Sequence, residues 1–81
     1  SNGALMVNLL GLDAAAPLEE RLTGLRKISN AHLHWYGKSP ETPGRKLGHV
    51  TILLPGPDEA SRAEQSRQAL ESVRAIWPNP A

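Results

Sequence analysis

The sequence predicts an α+β domain: a small, mostly antiparallel sheet with two helices packed on it. Three short segments have the length and the period of β-strands, and two longer segments repeat apolar residues at helical spacing. They follow in the order strand, helix, a pair of strands joined by a loop, and helix. At 81 residues the chain has room for one domain with one small hydrophobic core.

The first strand is predicted at residues 5–10, a short apolar run that Gly11 closes. Because the run is apolar at successive positions, we expect a strand that is buried on both faces. Its one polar residue, Asn8, is interpreted as pairing with neighbouring backbone, with a ligand contact as the alternative.

The first helix is predicted at residues 17–28, where Pro17 can start it. Acidic residues lie in the expected first turn and basic residues in the last, each with the sign that the helix dipole favours. The apolar stripe recurs every three or four residues, at Leu18, Leu22, Leu25 and Ile28.

The second strand is predicted at residues 31–36 and the third at residues 49–54, since both alternate in polarity. In the second strand, His32 and His34 share the polar face. Two imidazoles at this spacing can ligate one metal, but neither Cys nor a nearby carboxylate joins them, so a polar strand face is the favoured interpretation.

The second helix is predicted from Asp58, a good N-cap, to Trp77, where Pro78 stops it. Its apolar face is predicted to carry Ala63, Leu70, Val73 and Trp77. On its surface two ion pairs at i, i+3 are expected, Glu64 with Arg67 and Glu71 with Arg74.

The composition excludes several classes of protein. Nine Lys and Arg residues stand against eight Asp and Glu, and a net charge of +1 gives no broad field for nucleic acid. The chain has no cysteine, which excludes a disulfide framework and a thiolate zinc site. No apolar run approaches the roughly 20 residues that cross a bilayer. We therefore expect no nucleic-acid partner and no membrane partner.

The two ends of the chain are interpreted separately from the domain. Residues 1–3 precede the first apolar run without an initiator methionine and are interpreted as an expression scar. Residues 79–81 follow the helix-stopping proline and are expected to form a frayed tail. Residues 4–78 are then a single domain cut from a longer chain.

The loop from residue 36 to residue 49 is the candidate functional segment. It gathers Lys38, Arg45 and Lys46 among glycines that allow close backbone approach, and His49 can add a hydrogen bond and a fraction of positive charge. Backbone N–H groups and the cations can then face one phosphate or carboxylate. A solvated basic turn is the alternative. Because the chain has neither a nucleophile with an oriented base nor paired carboxylates, we expect no catalytic residue and no metal site here.

Three stretches of this sequence resemble a known family. They are Asn8-Leu9-Leu10-Gly11, His32-Leu33-His34-Trp35-Tyr36-Gly37-Lys38 and Pro43-Gly44-Arg45-Lys46-Leu47-Gly48-His49-Val50-Thr51. In this order they resemble the C-terminal domain of 5-(carboxyamino)imidazole ribonucleotide synthase, an ATP-grasp ligase of purine biosynthesis. The resemblance runs from about residue 5 to residue 54.

The resemblance implies a cytoplasmic parent ligase that uses ATP, bicarbonate and magnesium to carboxylate aminoimidazole ribonucleotide. The preceding ATP-grasp domains would hold ATP and magnesium, so this barrel-sandwich-hybrid-like domain would bind no cofactor and would be inactive alone. Its role would be to bind the substrate phosphate through Lys38 and Arg45, with Lys46 and His49 assisting. The parent is expected to be a homodimer. Members usually have a basic residue where this chain has Thr42, so one positive contact is expected to be missing.

Two alternatives remain at this point. One is a free-standing module for a small anion or for RNA, in which Trp35 and Tyr36 stack on bases. The other is the C-terminal domain of a related ATP-grasp carboxylase, such as the formate-dependent purine enzyme or a biotin carboxylase.

Overall fold

The computed structural model describes residues 3–13, 16–36 and 41–79. The elements are β1 (Gly3–Leu10), α1 (Leu18–Arg26), β2 (Ala31–Trp35), β3 (Lys46–Leu54) and α2 (Glu59–Ile76). The strands form one antiparallel sheet in the order β1-β3-β2. The predicted α+β class, with a small antiparallel sheet and two helices, is confirmed.

The central strand β3 holds the sheet together, because it pairs along its length with β1 and over residues 48–52 with β2. Val50 lies opposite Val7 of β1 and opposite Leu33 of β2. One face of the sheet carries the helices, with α1 against β2 and α2 against β1 and β3. The buried core between these layers consists of Val7, Leu9, Leu22, Leu25, Val50, Ile52, Leu54, Val73 and Trp77.

The prediction that β1 is buried on both faces is wrong. Val7 and Leu9 are buried, whereas Met6 is 58% exposed and Asn8 is exposed as well. The reason is that the described part of the chain places both helices on the same face of the sheet. The apolar run therefore alternates in burial as an antiparallel strand with one covered face does.

The third strand starts earlier than predicted, at Lys46 rather than at His49. Gly48 does not belong to a loop. It lies opposite Trp35 in the ladder, where an added Cβ would come within 2.5 Å of the His34 carbonyl oxygen. Gly48 is thus a strand residue over which the neighbouring strand approaches closely, and the loop ends at Arg45.

The first helix begins at Leu18, directly after Pro17, and ends at Arg26. The acidic residues of its first turn and the basic residue of its last turn are exposed. Gly24 faces α2, where an added Cβ would lie 3.3 Å from the Ile76 side chain. The glycine that lowers helix propensity therefore permits close packing of the two helices.

The second helix begins as predicted, since the Asp58 carboxylate accepts a hydrogen bond from the Ser61 N–H at 2.7 Å. Its apolar face is only partly as predicted. Val73 is fully buried and Leu70 is 40% exposed, and Ala63 is exposed too. Of the described helices, neither is both long and apolar enough to cross a membrane.

Polar contacts explain why the N-terminal half of α2 needs few apolar residues. The Gly56 N–H donates to Gln65 Oε1 at 3.0 Å, and Arg62 Nη1 donates to the Gly56 carbonyl at 3.1 Å. These side chains fasten the helix to the segment after β3. The core therefore needs apolar residues only from the C-terminal half, Ala69, Val73 and Ile76.

Candidate anion-binding site

A tight turn at residues 42–45 forms the centre of the candidate site. The Arg45 N–H donates to the Thr42 carbonyl at 3.1 Å, with Pro43 and Gly44 between them. Gly44 has φ +79°, and an added Cβ there would have open space around it. Proline followed by a positive-φ glycine is the pattern of a type II turn, so Gly44 is required for its backbone conformation.

The turn rests on the backbone of Gly11, at the end of β1. The Gly11 N–H donates to the Arg45 carbonyl at 2.8 Å, and the Gly44 N–H donates to the Gly11 carbonyl at 2.8 Å. An added Cβ at Gly11 would lie 2.0 Å from the Thr42 carbonyl oxygen. The stretch that ends in Gly11 and the stretch that begins at Pro43 are therefore one unit in space.

These bonds change the expected means of holding an anion. We expected backbone N–H groups to face the ligand beside the cations. The N–H groups of Gly44 and Arg45 are instead bonded to the Gly11 and Thr42 carbonyls. An anion at this turn would consequently depend on side chains rather than on these two backbone donors.

A β-bulge in β3 directs the Lys46 side chain outward. Leu9 pairs with Gly48 and Leu10 pairs with Lys46, so Leu47 is an extra residue in β3. Leu47 and Gly48 are both buried, while Lys46 is exposed.

The Lys46 side chain lies on the face of the sheet opposite to the two described helices. The Lys46 Nζ stands 6.0 Å from the centre of the Tyr36 ring, at the outer limit of a cation–π contact. Arg45 and Lys46 are therefore exposed at the same end of the sheet.

His49 lies on the helix-free face in contact with two neighbours. Its Nδ1 is 2.7 Å from the Tyr36 hydroxyl oxygen, and its ring stacks on His34 with centres 4.6 Å apart. Loss of hydration, with the nearby His34 and Lys46 charges, lowers the pKa of His49 below its ordinary value. His49 is thus a poorer cation than expected. If the Tyr36 O–H donates to Nδ1, the ring proton is on Nε2, which can donate to an anion.

The predicted phosphate-binding residues are placed as follows. Arg45 and Lys46 are adjacent and exposed at the turn, and His49 follows on the same strand. Lys38 lies outside the residues that the structure describes. His32 and His34 face outward from β2, and within the described ranges no three His, Asp or Glu side chains are placed to hold a metal ion.

Sequence reasoning missed an ion pair behind the turn. Arg21 is only 4% exposed, and it donates to Glu41 through Nη1 at 3.1 Å and through Nη2 at 2.7 Å. The signal was present, because Arg21 lies on the apolar stripe of α1 between Leu18 and Leu25. A charged residue on a buried stripe needs a buried partner, and Glu41 is the only acid in the loop.

The family assignment comes from comparison with known proteins. Residues 4–63 match the family described as the phosphoribosylaminoimidazole carboxylase C-terminal domain. The N5-carboxyaminoimidazole ribonucleotide synthase of Synechococcus elongatus is 49% identical over 96% of this chain and 20% of its own length. The enzyme of the same name from Synechocystis is 40% identical over 91% of this chain and 19% of its own length. The chain thus spans about a fifth of these relatives.

Solved structures agree with this assignment. The N5-carboxyaminoimidazole ribonucleotide synthetase of Thermus thermophilus matches with a TM-score of 0.64 and 32% identity, over 91% of this chain and 17% of that one. A carboxyaminoimidazole ribonucleotide synthase from Aspergillus clavatus, solved in complex with ATP, matches with a TM-score of 0.66 and 26% identity, over 94% of this chain and 19% of that one. This chain therefore belongs to the phosphoribosylaminoimidazole carboxylase C-terminal domain family.

Proposed function

We propose that this chain is the C-terminal domain of an ATP-dependent ligase that carboxylates aminoimidazole ribonucleotide with bicarbonate in purine biosynthesis. In this proposal the domain supplies cations to the phosphate of the ribonucleotide. The observation that carries it is the turn docked on Gly11, which exposes Arg45 and Lys46 side by side. The named relatives, all of them synthases or carboxylases of this pathway step, supply the substrate.

The two cations suit a phosphate monoester in different ways. Arg45 offers a planar fork that can donate two parallel hydrogen bonds to phosphate oxygens, whereas Lys46 is a mobile point charge. Lys38 would close on the same phosphate, and His49 would donate from a neutral ring. Thr42 brings no charge to the turn, so the phosphate would have one positive contact fewer than in most of the family.

The remaining parts of the proposal concern the parent enzyme. ATP and magnesium would be held by preceding ATP-grasp domains, and residues 4–78 would close over the site that those domains form. The parent would be a cytoplasmic homodimer, which light scattering of the full-length protein tests. The substrate itself would be shared between this domain and its neighbours, so the isolated domain would not turn over ATP.

The decisive experiment is Arg45→Ala in the full-length ligase. Losing one charge-assisted contact of about 1.5 to 3 kcal/mol should raise the KM for the ribonucleotide about ten- to hundredfold. The KM for ATP should stay the same, because ATP would bind elsewhere. Lys38→Ala should act in the same direction.

Arg26→Ala is the matched control, since Arg26 is an exposed arginine at the end of α1. It should leave both constants unchanged. Equal changes of both KM values in Arg45→Ala, or no change in either, would contradict the phosphate role.

The structure supports the RNA-binding alternative less than the sequence does. Trp35 does not face outward, because its ring packs edge-on against the buried Trp77 with centres 5.8 Å apart. Of the two aromatic side chains considered for base stacking, only Tyr36 is exposed, at 50%. Stacking on a single ring with a net charge of +1 provides little affinity for RNA.

A further inference from the structure

We propose that the ion pair of Arg21 and Glu41 is a positioning device for the turn at residues 42–45. This inference rests on the proposed phosphate role of Arg45, and it assigns a task to two residues that do not touch the phosphate themselves. The turn is fixed at one end by its bonds to Gly11. Glu41, the residue directly before the turn, fixes the other end.

The Glu41 carboxylate is fully engaged in this attachment. Its Oε2 accepts from the Leu12 N–H at 2.8 Å, and both of its oxygens accept from the Arg21 guanidinium. Leu12 follows Gly11 directly in the chain. The segment after β1 therefore holds the turn twice, through the Gly11 backbone and through the Glu41 side chain.

Arg21 can act as a fixed reference because two other groups restrain it. Its Nε donates to the Ala16 carbonyl at 2.8 Å, and its guanidinium carbon lies 4.2 Å from the centre of the Trp77 ring. Trp77 Nε1 in turn donates to the Leu10 carbonyl at 2.8 Å. The start of α1, the end of α2 and the end of β1 thus form one frame beneath the turn.

A charge pair fits this task better than an apolar contact would. A forked arginine–carboxylate pair fixes both distance and angle, whereas apolar side chains can slide past one another. Such pairs add little net stability over a well-packed apolar core, so their value can lie in geometry. Arg45 lies four residues after Glu41 in the chain. A displaced turn would therefore move the Arg45 guanidinium away from the phosphate.

The test is Glu41→Gln in the full-length ligase, with two readouts. Glutamine keeps the shape and can still accept from Leu12, but it loses the charge that holds Arg21. The exchange of the Gly11 and Gly44 amide hydrogens should accelerate about tenfold, although neither amide touches Glu41. The KM for the ribonucleotide should also rise about tenfold while the KM for ATP stays constant.

Glu64→Gln is the matched control, because it removes the same charge from an exposed arginine pair on α2. It should change neither readout. If Glu41→Gln alone fails to fold, the double variant Arg21→Met/Glu41→Gln removes both charges together, so that no buried charge is left unpaired. The same two readouts then apply to the double variant.

Each outcome decides the matter. Faster exchange at Gly11 and Gly44, together with a selective rise in the ribonucleotide KM, supports the proposal. Unchanged exchange overturns it, whatever the kinetics show. Faster exchange with an unchanged ribonucleotide KM overturns it too, provided that Arg45→Ala raises that constant. If Arg45→Ala has no effect, the phosphate role fails, and the positioning role in substrate binding fails with it.

Discussion

Among the residues that the structure describes there are two arginine–carboxylate clusters, one beneath the turn and one on the surface of α2. In the first, the side chains of Arg21 and Glu41 are 4% and 18% exposed. In the second, Arg67 pairs with Glu64 and Glu71, and all three side chains are more than half exposed. In both clusters nitrogen and oxygen atoms lie within salt-bridge distance, yet water screens only the second effectively. Burial, rather than the presence of an ion pair, decides whether the charges can fix the backbone.

The largest expected difference between the two clusters is in the free energy of unfolding, and Arg21→Met reveals it. Removing the cation leaves the mostly buried Glu41 carboxylate without its partner, and breaking such a pair costs about 3 to 5 kcal/mol in the free energy of unfolding. Arg67→Met is the matched change on the surface, where about 0 to 1 kcal/mol is expected. Urea unfolding of both variants measures the difference. Similar losses in the two variants would refute the contrast.

A smaller effect is expected from Trp77→Phe, which keeps an aromatic ring beneath Arg21. The variant loses the hydrogen bond to the Leu10 carbonyl and leaves a small void, for a loss of about 2 kcal/mol. Exchange of the Gly11 amide hydrogen should accelerate as well, because the end of β1 loses its attachment. Amide exchange followed by NMR checks this, with the amides of α2 near Glu64 as the internal control. Uniform acceleration throughout the domain would mean that Trp77 acts only on global stability.

The smallest expected effect is the change with pH in the stability that Glu41 contributes. The hydrogen bond from Arg21, with that from Leu12, lowers the pKa of Glu41 below its ordinary value of 4.5. A lowered pKa gives stability that is fully present above 4.5 and is lost as the pH falls through the folded-state value. Unfolding free energies of the wild type and of Glu41→Gln should therefore converge below pH 4.5.

Glu64 sharpens this comparison, because Arg67 lowers its pKa as well. Its side chain is 53% exposed, so its contribution should be smaller and should shrink further as salt is added. A pH series at low and at high salt separates the two carboxylates. Equal salt sensitivity of the Glu41 and Glu64 contributions would show that the first pair is screened like the second.

Much of the fold could be predicted from local patterns. The alternation of residues 31–36 indicates a strand with one covered face, and the structure confirms it for Ala31–Trp35. The Asp58 cap and the end of the second helix before Pro78 are likewise local signals. Where burial depends on a partner element, prediction failed: residues 5–10 are apolar except at Asn8, but in the described part of the chain β1 meets helices on one face only.

The candidate site was predictable in part for the same reason. The cations and glycines of the turn stand next to one another in the sequence, so their cluster was visible. The docking of Gly11 on Thr42 and the pairing of Arg21 with Glu41 join residues that are far apart along the chain. The expected pair of Glu71 with Arg74 also failed, since Glu71 bonds to Arg67 and Arg74 donates to the Trp77 carbonyl.

The bulge at Leu47 limits how this part of the chain can change in length. A strand turns its side chains to alternate faces, and the bulge absorbs the extra residue, because Leu47 and Gly48 are both buried while Lys46 before them is exposed. Deleting Leu47 would leave Lys46 directly before Gly48 and still opposite Leu10 in a regular ladder, so the Lys46 side chain would still face solvent. A single-residue gap at the bulge would thus remove a buried leucine but no charge of the site, whereas a gap elsewhere in β3 would reverse the facing of the residues beyond it.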